Sequence, residues 1–110
     1  MKKGYEVKEI KKYSYSIFSS MQNMDDVVSV IMLSGDNAFY GYINLLVDGS
    51  ELPQAEKKYG LYYLYYHQKD LPALIDMMRN ESPVYIIYME GKSSNCRITT
   101  MPEPIGEGEN

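Results

Sequence analysis

Two side chains in this sequence could act as a nucleophile or a general base, His67 and Cys96, and each is the sole residue of its kind. A working pair needs the imidazole within hydrogen-bond reach of the thiol, and no motif joins them. Cys96 lies between Asn95 and Arg97. Arg97 would lower the thiol pKa if it were adjacent in space, but successive side chains on a strand point to opposite faces. Both residues therefore read as structural or surface positions rather than as a catalytic pair, and His67 is left as the one obvious acid or base should a pocket form beside it. One His and one Cys are too few soft ligands for a zinc site within one chain. Asp25, Asp26, Asp36 and Asp48 offer oxygen donors, yet each falls at a turn or loop, where Asp is expected for its own hydrogen bonding. Neither the calcium-loop spacing nor a phosphate loop occurs, and Gly106-Glu107-Gly108 is acidic where a phosphate cradle must not be. No metal and no cofactor are expected.

The chemistry that remains is that of aromatic contact. The chain has twelve Tyr, two Phe and no Trp, and tyrosine is the aromatic that keeps its hydroxyl in water while its ring packs. Tyr63, Tyr65, Tyr40 and Tyr42, with His67 at the end of their run and Lys11 and Lys12 near the N-terminus, are the candidate binding residues. On a sheet face they would suit a protein interface, or the stacking of unpaired bases with lysines tracking phosphates.

Elements that could position them follow from periodicity. Tyr13 to Ser19 alternates as a strand does. Val27 to Leu33 and Ala38 to Val47 are apolar, β-branched runs separated by Ser-Gly-Asp-Asn, which predicts a hairpin. In the second arm, alternation puts Phe39, Gly41, Ile43 and Leu45 on one face and Tyr40, Tyr42 and Asn44 on the other. Pro53 to Lys58 reads as a short helical turn in a crossing loop. Tyr59 to His67 is strongly β-biased. Leu71, Leu74, Ile75 and Met78 then recur at helical spacing from an Asp70 N-cap, and Asn80 to Pro83 ends the helix. Val84 to Met89 is apolar on both faces, as an interior strand is, and Cys96 to Thr100 is the last strand. The expectation is an α+β fold: a mostly antiparallel, curved sheet of about six strands in the order β-β-β-β-α-β-β, with one main helix packed on it. Residues 1–101 form a single domain in this reading, and 102–110 an extended acidic tail with Pro and Gly.

A sheet of six strands at about 4.8 Å spacing is roughly 24–29 Å wide, whereas a helix is about 10–12 Å across. One helix covers only part of one face. The strands that are apolar on both sides must find cover by curling of the sheet, by dimerisation, or by a partner. A homodimer is preferred, because tyrosine-lined surfaces suit interfaces and two-fold pairs are the commonest oligomers.

A formal net charge of −4 argues against chain-wide affinity for phosphate backbones. The lone cysteine, the absence of an apolar export signal and the lack of a run long enough to cross a bilayer point to a cytoplasmic protein without a membrane role. The strand order β-β-β-β-α over Tyr13–Asn80 resembles the repeating unit of Whirly-type single-stranded DNA-binding domains, without a shared sequence motif, and the resemblance implies single-stranded nucleic acid as a partner. The expected function is thus a small non-catalytic interaction or regulatory module, homodimeric through its tyrosine-rich sheet. The alternative is a single-stranded nucleic-acid binder, and a third reading is a small-ligand pocket near His67, which requires His67, Tyr63 and Tyr65 to line one cavity.

Overall fold

The computed structural model describes residues 5–20 and 26–101. The expected tail at 102–110 and most of the connection at 21–26 lie outside the described residues. Within them the strands are β1 (Tyr5–Glu9), β2 (Lys12–Ile17), β3 (Val27–Ser34), β4 (Phe39–Leu46), β5 (Glu56–Lys58), β6 (Leu61–His67), β7 (Tyr85–Met89) and β8 (Arg97–Thr99). The helix α1 (Leu71–Asn80) falls between β6 and β7, and short 3-10 turns occupy Gln68–Asp70 and Ser93–Asn95. The class is α+β with mostly antiparallel pairing, as the periodicities predict.

The strands divide into two sheets where one was expected. The larger has the order β2-β3-β4-β6-β5 and the smaller β1-β7-β8. The division happens between two consecutive residues. Ile10 donates its N–H to Val84 O at 2.8 Å, toward the small sheet, and Lys11 donates to Ser34 O at 2.8 Å, in the large one. A chain that switches sheets this way turns a corner, and the two sheets then face each other across a common core. Alternation of apolar residues specifies a strand but not its neighbour, so the split leaves no mark in the sequence.

The β3–β4 hairpin closes over Ser34–Ala38, with Gly35 N–H bonded to Ala38 O at 2.8 Å. The register shifts between Leu33 and Ser34, and Tyr40 is the extra residue: Leu33 pairs with Gly41 and Ser34 with Phe39. This β-bulge exchanges the faces of the residues before it. After β4 the chain does not return antiparallel. β6 lies parallel to β4, and β5 fills the edge beyond β6. The segment expected as a helical turn is thus partly a strand, because Tyr59 and Gly60 both take positive φ (54° and 79°) and form the two-residue hairpin loop that pairs Lys58 with Leu61. Over Tyr13–Asn80 five strands precede the helix, not four.

The helix buries Leu71, Leu74 and Ile75. Asp70 holds the N-cap position but makes no side-chain cap bond, since the 3-10 turn runs directly into α1. The core joins Ile31 and Leu33 of β3, Ile43 and Leu45 of β4, Tyr62 and Leu64 of β6, and the helix to Val84, Ile86, Tyr88 and Ile98 of the small-sheet layer. Helix and small sheet together cover the inner face of the large sheet. Among the described residues, most side chains of its outer face are half-buried or exposed.

Candidate functional site

Burial alternates along the large sheet. Ser29, Ile31, Leu33, Ile43, Leu45, Tyr62 and Leu64 are buried, while Met32, Tyr42, Asn44, Tyr63 and Tyr65 between them are half-buried and point outward. Strand register sets Ser14, Met32, Tyr42, Tyr63 and Glu56 side by side across the outer face. Tyr42 and Tyr63, direct neighbours on the parallel β4–β6 pair, stack with ring centroids 5.5 Å apart and planes 26° from parallel. Phe39 meets Tyr42 edge-on at 5.2 Å and 76°. Lys58 Nζ lies 5.6 Å from the centre of the Tyr63 ring and pairs with Glu56 at 3.5 Å. At the other end, Lys12, Ser14, Met32 and Phe39 help line a depression of about 290 Å³. The result is an apolar, aromatic row across the sheet with a lysine at each end.

Of the candidate residues, Tyr42, Tyr63 and Lys12 belong to this row. Tyr40 does not: the bulge turns it inward, where it packs against the core with its hydroxyl lying against Gly35. Phe39 takes its place on the outer face, and with Met32 and Lys58 it completes the row. Sequence reading missed Phe39 because alternation counted without the bulge puts it on the opposite face, and missed Lys58 because β5 is too short to show a period. Lys11 sits at the corner between the sheets and pairs with Glu9 at 3.3 Å.

His67 Nε2 donates to Ser50 O at 2.7 Å, and Lys69 N–H is bonded to Asp48 Oδ1 at 2.8 Å. Both bonds fasten the crossing loop to the end of β6, so the imidazole serves as a tie. Tyr65 lines a cavity of about 260 Å³ with Leu52, Pro53, Tyr66, Ser93 and Cys96, and neither Tyr63 nor His67 borders it. That cavity does not hold the three residues together, although alternation along β6 puts Tyr63, Tyr65 and His67 on one side of the strand. The Cys96 thiol accepts from Met89 N–H at 3.3 Å, and burial pushes its pKa up despite that bond and nearby Arg97, the reverse of an activated nucleophile. Among the described residues no group of His, Cys, Asp and Glu could hold a metal ion, and no helix is long and apolar enough to cross a membrane.

One polar cluster ties the two sheets. Glu6 Oε1 on β1 accepts from Lys57 Nζ at 2.8 Å and from the Tyr62 hydroxyl. Burial raises the Glu6 pKa, but the bonds from Lys57 and Tyr62 and the charges of Lys57 and Lys8 outweigh it and hold the carboxyl below its ordinary value. Burial first, then the Glu6 carboxylate, push the Tyr62 phenol well above its own. Such a phenol stays neutral and serves as a fixed donor. Comparison with protein-family models, with curated proteins and with solved structures finds no match for this chain.

Proposed function

We propose that this protein is a small non-catalytic interaction or regulatory module, a homodimer built on its tyrosine-rich sheet, which offers the outer face of that sheet to a protein partner. The observation that carries this reading is the outward-facing row of Phe39, Tyr42 and Tyr63. Aromatic residues and Met are what the centre of an interface is enriched in, and the row contains Met32 and no carboxylate until Glu56 at its rim. Rings already packed against one another lose little conformational freedom on binding, which favours association. The lone thiol, with no second cysteine in the chain to pair with, suits a reducing compartment such as the cytoplasm.

Single-stranded nucleic acid is the second reading, favoured by the stacked Tyr42–Tyr63 pair with Lys12 and Lys58 beyond it. Charge weighs against it. Lys58 is already paired with Glu56, and the whole chain carries −4, which disfavours binding along a phosphate backbone.

Sedimentation equilibrium and an oligonucleotide pool test the two together. A dimer at micromolar concentration and no retention of oligonucleotide at low salt are expected. A strict monomer at high micromolar concentration removes the homodimer, and salt-sensitive retention abolished by Tyr63→Ala transfers the function to nucleic acid.

A further inference from the structure

The two sheets have four edge strands, and three of them are guarded against further pairing. β5 and β8 are three residues long, β5 carries Glu56, Lys57 and Lys58, and β1 carries Glu6, Lys8 and Glu9. Short length and charge are the usual means by which an edge is blunted. β2 has neither. It is six residues long, Lys12-Tyr-Ser-Tyr-Ser-Ile17, its single charge is at its start, and no bulge or proline interrupts it. Among the described residues it pairs with β3 alone. Its inward-facing Tyr15 and Ile17 extend past the core and are 43% and 60% exposed.

The backbone of β2 also points the right way. Phe18 donates its N–H to Val28 O at 3.0 Å, and in an antiparallel ladder bonding direction alternates along the strand. Within β2, beyond the off-register Lys11–Ser34 bond that precedes it, the even-numbered residues thus bond to β3, and Tyr13, Tyr15 and Ile17 turn their N–H and C=O groups to the open edge. Two of these three, Tyr15 and Ile17, are the residues whose side chains are under-covered.

We infer that two copies of this chain join along β2, antiparallel and about a two-fold axis at Tyr15. The inference rests on the homodimeric reading above and names its contact. Such an axis, perpendicular to the sheet, keeps like faces together, so only residues of equal parity oppose one another. With Tyr15 opposite its own copy, Tyr13 faces Ile17 and Ser14 faces Ser16 of the second chain, while Lys12 faces Phe18. Apolar meets apolar, hydroxyl meets hydroxyl, and no lysine meets a lysine. Moving the axis to Ser14 puts Ile17 against Lys11, and moving it to Ser16 puts Tyr13 against Ser19, so the Tyr15 register is the self-complementary one. The two large sheets become one continuous sheet with both Phe39–Tyr42–Tyr63 rows on the same side. Five strand spacings separate the two β4 strands, about 24 Å, which is the span a two-fold or elongated partner must match.

The test combines hydrogen exchange with cysteine cross-linking. In the dimer the amides of Tyr13, Tyr15 and Ile17 gain protection as concentration rises. In a Cys96→Ser background, Tyr15→Cys forms a disulfide-linked dimer, because Cα atoms of a hydrogen-bonded pair lie about 5.5 Å apart, within disulfide reach. Ser14→Cys and Ser16→Cys do not. Tyr15→Lys weakens association by about tenfold or more through like charges at the axis, with the circular dichroism of the fold retained. A dimer in which these three amides exchange at the monomer rate, or one cross-linked through Ser14→Cys or Ser16→Cys and not Tyr15→Cys, overturns the β2 contact while leaving a homodimer. A wild-type monomer overturns the homodimer itself.

Discussion

The Tyr62 hydroxyl donates a hydrogen bond to the Glu6 carboxylate, joining the buried inner face of the five-stranded sheet to the first strand of the other sheet. Lys57 binds the same oxygen at 2.8 Å. Both side-chain pKa values move in the direction that resists charge change in the folded state, Glu6 down and Tyr62 up.

Stability should therefore fall at both ends of the pH scale. A carboxyl with a lowered folded pKa gives stability that is present above its unfolded value near 4.5 and lost as pH drops through the folded value. A phenol with a raised folded pKa gives stability that is present below its unfolded value near 10 and lost as pH rises past it. Glu6→Gln is expected to cost about 1 kcal/mol at neutral pH and to flatten the acid limb of urea-unfolding free energy against pH. Tyr62→Phe should soften the alkaline limb without abolishing it, since burial raises Tyr66 and Tyr88 as well.

Gly41 faces Tyr62 across the parallel β4–β6 pair, where an added Cβ would stand 2.1 Å from the Tyr62 carbonyl oxygen, and its φ is +150°. Neither backbone can move without parting the central strands. Gly41→Ala should destabilise by about 3 kcal/mol or more, visible as a lower denaturation midpoint, whereas an alanine at Gly49, with nothing within 4 Å, meets only the strain of its φ of +86°.

Tyr59 occupies a left-handed conformation, φ 54°, although its side chain has almost nothing to pack against at 97% exposure. Asn tolerates that conformation better, and Asn-Gly is the preferred pair for a two-residue loop with both φ values positive. Tyr59→Asn should raise stability by about 0.5–1 kcal/mol. An unchanged or lowered thermal midpoint would contradict this account of the β5–β6 turn.

Cys96 should react slowly. With burial raising its pKa, the thiolate fraction at neutral pH is below that of a free cysteine, and alkylation should run about tenfold slower than on a free thiol and recover in denaturant. Native-state labelling as fast as that of glutathione would show an activated thiol.

Much of the fold was legible because it is written in local periods. The helical spacing of Leu71, Leu74 and Ile75 marks the face that α1 buries, and turn formers between Leu33 and Ala38 mark the hairpin. The outer row was legible in part: Tyr42 and Tyr63 are binding candidates from the sequence, but which face of each strand is exposed, and the parallel register that makes the two neighbours, come from the fold. Tyr40 and Phe39 were misplaced because one bulged residue inverts alternation, and nothing in the amino-acid types around Phe39 announces it.

By itself, then, the sequence determined the α+β class, the helix face and the abundance of tyrosine at strand positions, all properties of residues close together in the chain. Only the tertiary structure decided that Ile10 and Lys11 serve different sheets, that β6 lies parallel to β4, and that Phe39 rather than Tyr40 joins Tyr42 on the outer face. The reason is that a strand's side-chain period specifies which residues share a face, whereas its pairing partner and register are fixed by distant backbone groups and by the burial they achieve together.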